Sequence, residues 1–138
     1  MTTTTQIIHK PTTKKQVKTF QDLGTWKAAQ ELAIAVLRQC ESFPEAGNAL
    51  VSLMTEAASG ICTTIAQGFN EFEGEERDCF YQATHALLVR LENYVLIARG
   101  MGYLNEAQQE DLLRRSNNTR WILLKLQKLN KEWAKNRR

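Results

Sequence analysis

The sequence predicts an all-α protein, an antiparallel up-down four-helix bundle, and three observations predict it. Apolar residues recur at three-and-four spacing in four successive segments. The segments are separated by short stretches carrying proline, glycine or asparagine. No segment alternates apolar and polar residues as a half-buried strand would. With 138 residues the chain is long enough for one domain with a modest core.

Residues 1–18 show no periodicity, contain Pro11, and read as a disordered basic tail; residues 19–138 then form the bundle domain. For the first helix Asp22 is the expected N-cap. Trp26, Ala29, Ala33, Val36, Leu37 and Cys40 make its apolar stripe. It ends near Phe43-Pro44, because proline disfavours helical geometry in the residue before it. Pro44 also suits the opening of a second helix, expected from about Glu45 to Gln67 with the stripe Leu50, Leu53, Met54, Ala57, Ile61, Thr64 and Ile65. The small residues Ala57, Ala58, Ser59 and Gly60 let a neighbouring helix approach closely. Gly68 stands where a C-terminal cap is expected, and Phe69 to Gly74 read as a loop.

The third helix is expected from about Glu75 to Arg99, with Phe80, Thr84, Leu87, Leu88, Leu91, Tyr94, Val95 and Ala98 on one face. Gly100 and Gly102 end it. Asn105 caps the fourth helix, whose inward residues are Leu112, Thr119, Ile122, Leu123, Leu126, Leu129 and Trp133. Four amphipathic helices with short connections pack as an up-down bundle.

The net charge of +3 conceals a segregated distribution. Lys10, Lys14, Lys15 and Lys18 occupy the first twenty residues without an acid, and from Leu112 onward nine basic residues face Glu132 alone. Between them, residues 21–111 hold five basic and fourteen acidic residues. Such polarity suits a polyanion partner or complementary contacts between subunits. Cys40, Cys62 and Cys79 are odd in number and widely spaced, which reads as free thiols in a reducing cytoplasm. Met1 to Lys18 lack the apolar core of a secretory signal. No apolar run approaches the roughly 20 residues that span a bilayer, so no membrane partner is expected.

Signals for catalysis are missing. A di-iron bundle needs inward Glu-x-x-His pairs, whereas His85 follows Gln82-Ala-Thr and His9 lies in the tail, so neither a metal nor a cofactor is expected. There is no phosphate-binding loop and no nucleophile elbow. The acidic run Glu71, Glu73, Glu75, Glu76 and Asp78 suits a helix N-terminus better than a calcium loop. The fourth helix carries the candidate site. At about 100° per residue, Arg114, Arg120, Lys125, Lys128, Lys131 and Lys135 fall opposite the core stripe, with Trp121 and Leu124 among them. The cations would meet phosphates of RNA or DNA, and Trp121 would either stack on an unpaired base or dock in a subunit interface. On the third helix His85, Val89, Leu96 and Ile97 point outward, an apolar patch that implies an oligomer.

Three phrases in fixed order carry a family resemblance: Phe20-Gln-Asp-Leu-Gly-Thr-Trp-Lys-Ala-Ala, Ala57-Ala-Ser-Gly-Ile-Cys-Thr-Thr-Ile-Ala-Gln-Gly68, and Arg90-Leu-Glu-Asn-Tyr-Val-Leu-Ile-Ala-Arg-Gly-Met-Gly-Tyr-Leu104. They resemble a bacterial four-helix-bundle family named for a protein encoded in an intervening sequence of large-subunit ribosomal RNA. A distant branch of that superfamily is the accessory variability protein of diversity-generating retroelements, which partners a reverse transcriptase. The resemblance implies a small non-enzymatic bundle, assembled as a ring, commonly a homopentamer, and associated with nucleic acid or a nucleic-acid enzyme. This chain departs from the pattern at polar positions: Thr55 and Glu56 replace paired arginines, Thr64 an asparagine, Gln67 a glutamate, Glu71 a basic residue and Arg90 a glutamate. The opposite changes at Glu56 and Arg90 imply an ion pair of reversed sense between the second and third helices.

Overall fold

Each of the four stripes becomes the inner face of a helix. The computed structural model describes residues 17–136. A 3-10 turn at Phe20–Asp22 leads into α1 (Gly24–Cys40), and a second turn at Glu45–Gly47 leads into α2 (Asn48–Glu71). Then follow α3 (Gly74–Gly100) and α4 (Glu106–Asn136). Consecutive helices pack antiparallel, and α4 closes on α1, so the bundle is the up-down one that the sequence predicts. Among the described residues no strand is present. The predicted tail lies outside the described residues up to residue 16; Val17 already packs against the core.

The core runs along the bundle axis. Leu32 and Val36 of α1 meet Met54, Ile61 and Ile65 of α2, Leu88, Leu91 and Val95 of α3, and Leu112 and Leu123 of α4. Leu37 and Leu53, expected inside, are exposed because each lies at the edge of its stripe. Tyr81, which the periodicity did not single out, is fully buried, and its hydroxyl has no hydrogen-bond partner.

Two helix ends behave as predicted. Gly102 has φ +80° and lets Tyr103 N–H reach Ala98 O at 2.9 Å while its own N–H reaches Arg99 O at 3.0 Å, a Schellman ending. Asn105 and Gln108 cap each other reciprocally, Oδ1 and Oε1 each accepting a backbone N–H at 2.8 Å. Two other ends differ from expectation. Asp22 does not cap α1: its carboxylate accepts the N–H groups of Lys18 and Thr19, at 3.0 and 3.1 Å, and so closes the turn before the helix. Those bonds, led by the one from Lys18, hold its carboxyl below the usual aspartate range.

Gly68 is not a cap either. α2 continues through it to Glu71, and a Cβ there would stand 2.8 Å from Phe80 Cβ, so this glycine lets α3 approach. The connection shortens to Phe72 and Glu73, and Gly74 takes the left-handed turn at φ +59°. The carbonyls at the end of α2 are satisfied by Arg77, whose guanidinium donates to Gly68 O, Phe69 O and Phe72 O at 3.1, 2.7 and 2.7 Å.

Glu45–Glu71 is, among the described residues, one stretch long and apolar enough to cross a membrane, with a mean hydropathy of 1.4. This corrects the expectation that no such run exists. Its inner residues Met54, Ala57, Ala58, Ile61 and Ile65 form the bundle core, and its outer face is built from uncharged Ser52, Ser59 and Thr63, which raises the average.

Candidate nucleic-acid interface

α4 meets α3 through polar groups, and this decides which of its cations remain free. Glu92 Oε2 accepts both Ser116 Oγ and Arg120 Nη2 at 2.5 Å. Arg120 also donates to Asn117 Oδ1 at 2.9 Å. It is half-buried in the seam and bound to a carboxylate, which removes it from the solvent-facing cationic set. Arg114 donates to Asp111 at 2.5 Å, and Arg115 shares that carboxylate at 3.0 Å. Two of the six predicted phosphate contacts therefore carry a carboxylate partner within the chain.

The lysines differ. Lys125, Lys128, Lys131 and Lys135 are exposed and, among the described residues, form no ion pair. They divide between two sides of α4. Lys125 faces the N-terminus of α1, in a groove with Leu126, Leu129 and Trp133. Lys128, Lys131 and Lys135 border a concavity of about 560 Å³ beside the start of α3, where Gly74 and Glu75 begin the helix. At about 1.5 Å rise per residue, the three ammonium groups span roughly 10 Å along the axis. The α3 N-terminus adds the partial positive charge of its macrodipole, offset by Glu75, Asp78 and Glu132 on the same rim. Trp121 stands two turns before Lys128 and is 64% exposed, with Leu124 beside it.

The lower half of the α3–α4 seam was not foreseen. His85 Nε2–H donates to Gln127 Oε1 at 2.8 Å, Gln127 Nε2 donates to Asp78 Oδ1 at 2.9 Å, and Asn130 Nδ2 donates to Gly74 O at 2.9 Å. Ser116, Gln127 and Asn130 are buried, whereas Leu129 is exposed and Ile122 and Trp133 are half-buried. The inward stripe of α4 thus turns polar where it meets the polar start of α3. His85, expected on the outward patch, belongs to this seam. Val89, Leu96 and Ile97 are exposed at 60%, 52% and 46%, within about 100° of one another on α3. Met101, also exposed, extends the apolar surface.

The ordering of these helices, with an α2–α3 contact through small residues and an α3 glutamate bonded to α4, agrees with a known family. A family model described as 23S rRNA-intervening sequence protein matches residues 21–125. The chain belongs to this family. No curated protein matches it.

Within this intervening-sequence protein the match takes in all of α1, α2 and α3 and stops at Lys125 of α4, so Lys128, Lys131 and Lys135 lie beyond it. The expected reversed pair between Glu56 and Arg90 is not formed; both side chains are exposed, and ion pairs among the described residues involve Asp111 and Glu92 instead. Among the described residues no three His, Cys, Asp or Glu side chains converge on one point. Burial pushes the Cys62 thiol up to about 11 and the Cys40 thiol in the same direction, which suppresses thiolate chemistry at both.

Proposed function

We propose that this member of the family is a non-enzymatic, cytoplasmic accessory protein that holds RNA by its phosphate backbone. The observation that carries the reading is the contrast along α4: Arg114 and Arg120 are bonded to carboxylates, while Lys128, Lys131 and Lys135 have none and project on one side. The family's name, which ties it to ribosomal RNA, supports RNA over DNA. The lysines neutralise phosphates, and Trp121 offers a face to an unpaired base. Backbone contacts position without specifying, so weak sequence preference is expected.

Fluorescence anisotropy with a single-stranded RNA at low and physiological salt tests this. For Lys128→Ala/Lys131→Ala/Lys135→Ala, affinity falls and the salt slope drops by about 2, from roughly 0.7 per lost phosphate contact. An unchanged slope in the folded variant rejects the site.

A second reading rests on the exposed Val89, Leu96 and Ile97: a protein-interaction scaffold, with those residues joining copies in a homo-oligomer. The pentameric ring and the reverse-transcriptase partner that the resemblance implies belong to this reading. Light scattering of wild type against Val89→Glu/Leu96→Glu separates them, since a mass that stays the same removes this patch as the interface.

A further inference from the structure

The N-terminus of α1 opens into a groove of about 460 Å³ whose walls are mostly apolar, with Val17, Ile122, Leu129 and Trp133 among them. A volume of this order holds a small molecule. The helix end is uncapped. Leu23, its N-cap, has no oxygen to offer, Asp22 is spent on Lys18 and Thr19, and the first helical bond is Lys27 N–H to Leu23 O at 3.1 Å. The N–H groups of the first turn, from Gly24 on, therefore lack an intrahelical acceptor.

Thr25 supplies a second, independent observation. It lines the groove, is 2% exposed, and its hydroxyl has no hydrogen-bond partner among the described residues. Elsewhere Thr63, Thr64, Thr84 and Thr119 each donate to the carbonyl four residues back. Thr25 has no such carbonyl, because its helix starts at Gly24. A buried hydroxyl left without a partner costs about 1–3 kcal/mol, which a ligand oxygen accepting from it would recover.

The geometry points to a binding site for a small amphipathic monocarboxylate, an aliphatic acid of medium chain length, in this groove. The carboxylate lies against the first turn of α1, accepting from its free N–H groups and the Thr25 hydroxyl, with the Lys125 ammonium as counter-charge. The hydrocarbon lies along Ile122, Leu129 and Trp133. Asp22 shares the rim and is the one acid there. Its carboxylate is held by backbone N–H groups and faced by Lys18 and Lys27, which limits its repulsion of a second carboxylate. One lysine and apolar walls suit a monoanion with a tail, and suit a hydrophilic dianion such as inorganic phosphate poorly. The site is separate from the Lys128, Lys131 and Lys135 concavity and does not rest on the RNA reading.

The test is a titration of the full chain with octanoate, followed by ¹H–¹⁵N NMR, with octanol as the uncharged control. Saturable shifts are expected at the Gly24 and Thr25 amides and the Trp133 indole, with octanol about tenfold weaker. Thr25→Val, nearly isosteric, and Lys125→Met, on the surface, should each weaken octanoate severalfold while leaving octanol unchanged. Equal response to octanoate and octanol, shifts centred on Trp121 or Val89, or no response up to the solubility limit would each overturn the proposal. The last outcome includes a groove already filled by another part of the chain.

Discussion

Along the α2–α3 seam the helices approach because atoms are missing. Gly68 presents no Cβ to Phe80 and Tyr81, and Gly60 presents none to Leu87. Along the α3–α4 seam they are held by polar groups instead: Glu92 to Ser116 and Arg120, His85 through Gln127 to Asp78, and Asn130 to the Gly74 carbonyl. The first seam depends on shape and tolerates no added volume. The second depends on partners, and it tolerates no lost hydrogen bond. The difference bears on function, because the polar seam takes Arg120 out of the solvent-facing set and leaves the lysines on the outer side of α4.

The largest expected effect tests the shape-dependent seam. Gly68→Ala gains helix propensity but drives a Cβ to 2.8 Å from Phe80 Cβ, and a net loss of about 2–3 kcal/mol is expected in urea unfolding. A neutral result would mean that α3 can slide away, and the seam would not be tight.

Next comes the polar seam. Glu92→Ala strands the Arg120 guanidinium and the Ser116 hydroxyl, with an expected loss of about 2 kcal/mol. In a double-mutant cycle with Arg120→Ala the losses should fall short of the sum by about 1 kcal/mol. Strict additivity would show that the pair contributes nothing to the contact.

Tyr81 sharpens the comparison from inside the core. Its buried hydroxyl is unpaired, so Tyr81→Phe should raise stability by about 1 kcal/mol. Burial also pushes the Tyr81 phenol up to about 12 from an ordinary 10.0. The raised folded value means that the neutral form is favoured in the native state. Wild type therefore holds its full stability below about pH 10 and loses it as pH climbs toward 12, a loss that the phenylalanine variant lacks. The gap between the two should widen across that window, and a constant gap would place the hydroxyl in contact with water.

The smallest effect is a control for the first. In Gly60→Ala the new Cβ meets only the Leu87 Cδ1 methyl, at 3.1 Å, and a flexible leucine end can give way. Gained helix propensity offsets the crowding, so a change within about 0.5 kcal/mol is expected by thermal unfolding. A loss as large as that of Gly68→Ala would mean that the whole seam is equally closed.

The candidate site was legible in part. Helical spacing places Lys125, Lys128, Lys131, Lys135 and Trp121 outside, and they are outside. The same spacing cannot separate a free arginine from a paired one, so Arg114 and Arg120 entered the phosphate set although Asp111 and Glu92 hold them. His85 was placed on the outer patch for the same reason: an angle on a wheel does not name the side chain across the seam. Gly68 resembled a cap because a glycine at the end of an apolar stripe has the same local pattern whether the helix stops or a neighbour comes close.

What the sequence by itself determined is local. Four stripes with period near 3.6, the proline and glycine breaks between them, the Asn105–Gln108 cap and the Gly102 ending all involve residues within a few positions of each other, so their energetics can be read from the chain. What only the tertiary structure decided is pairing at a distance. Arg120 and Glu92 are 28 residues apart, His85 and Gln127 are 42 apart, and Gln127 and Asp78 are 49 apart. Those contacts form only after two helices have packed, because a polar group chooses its partner from whatever the packed backbone brings within hydrogen-bond reach. The free lysines, the buried glutamine and the uncapped start of α1 all follow from that choice.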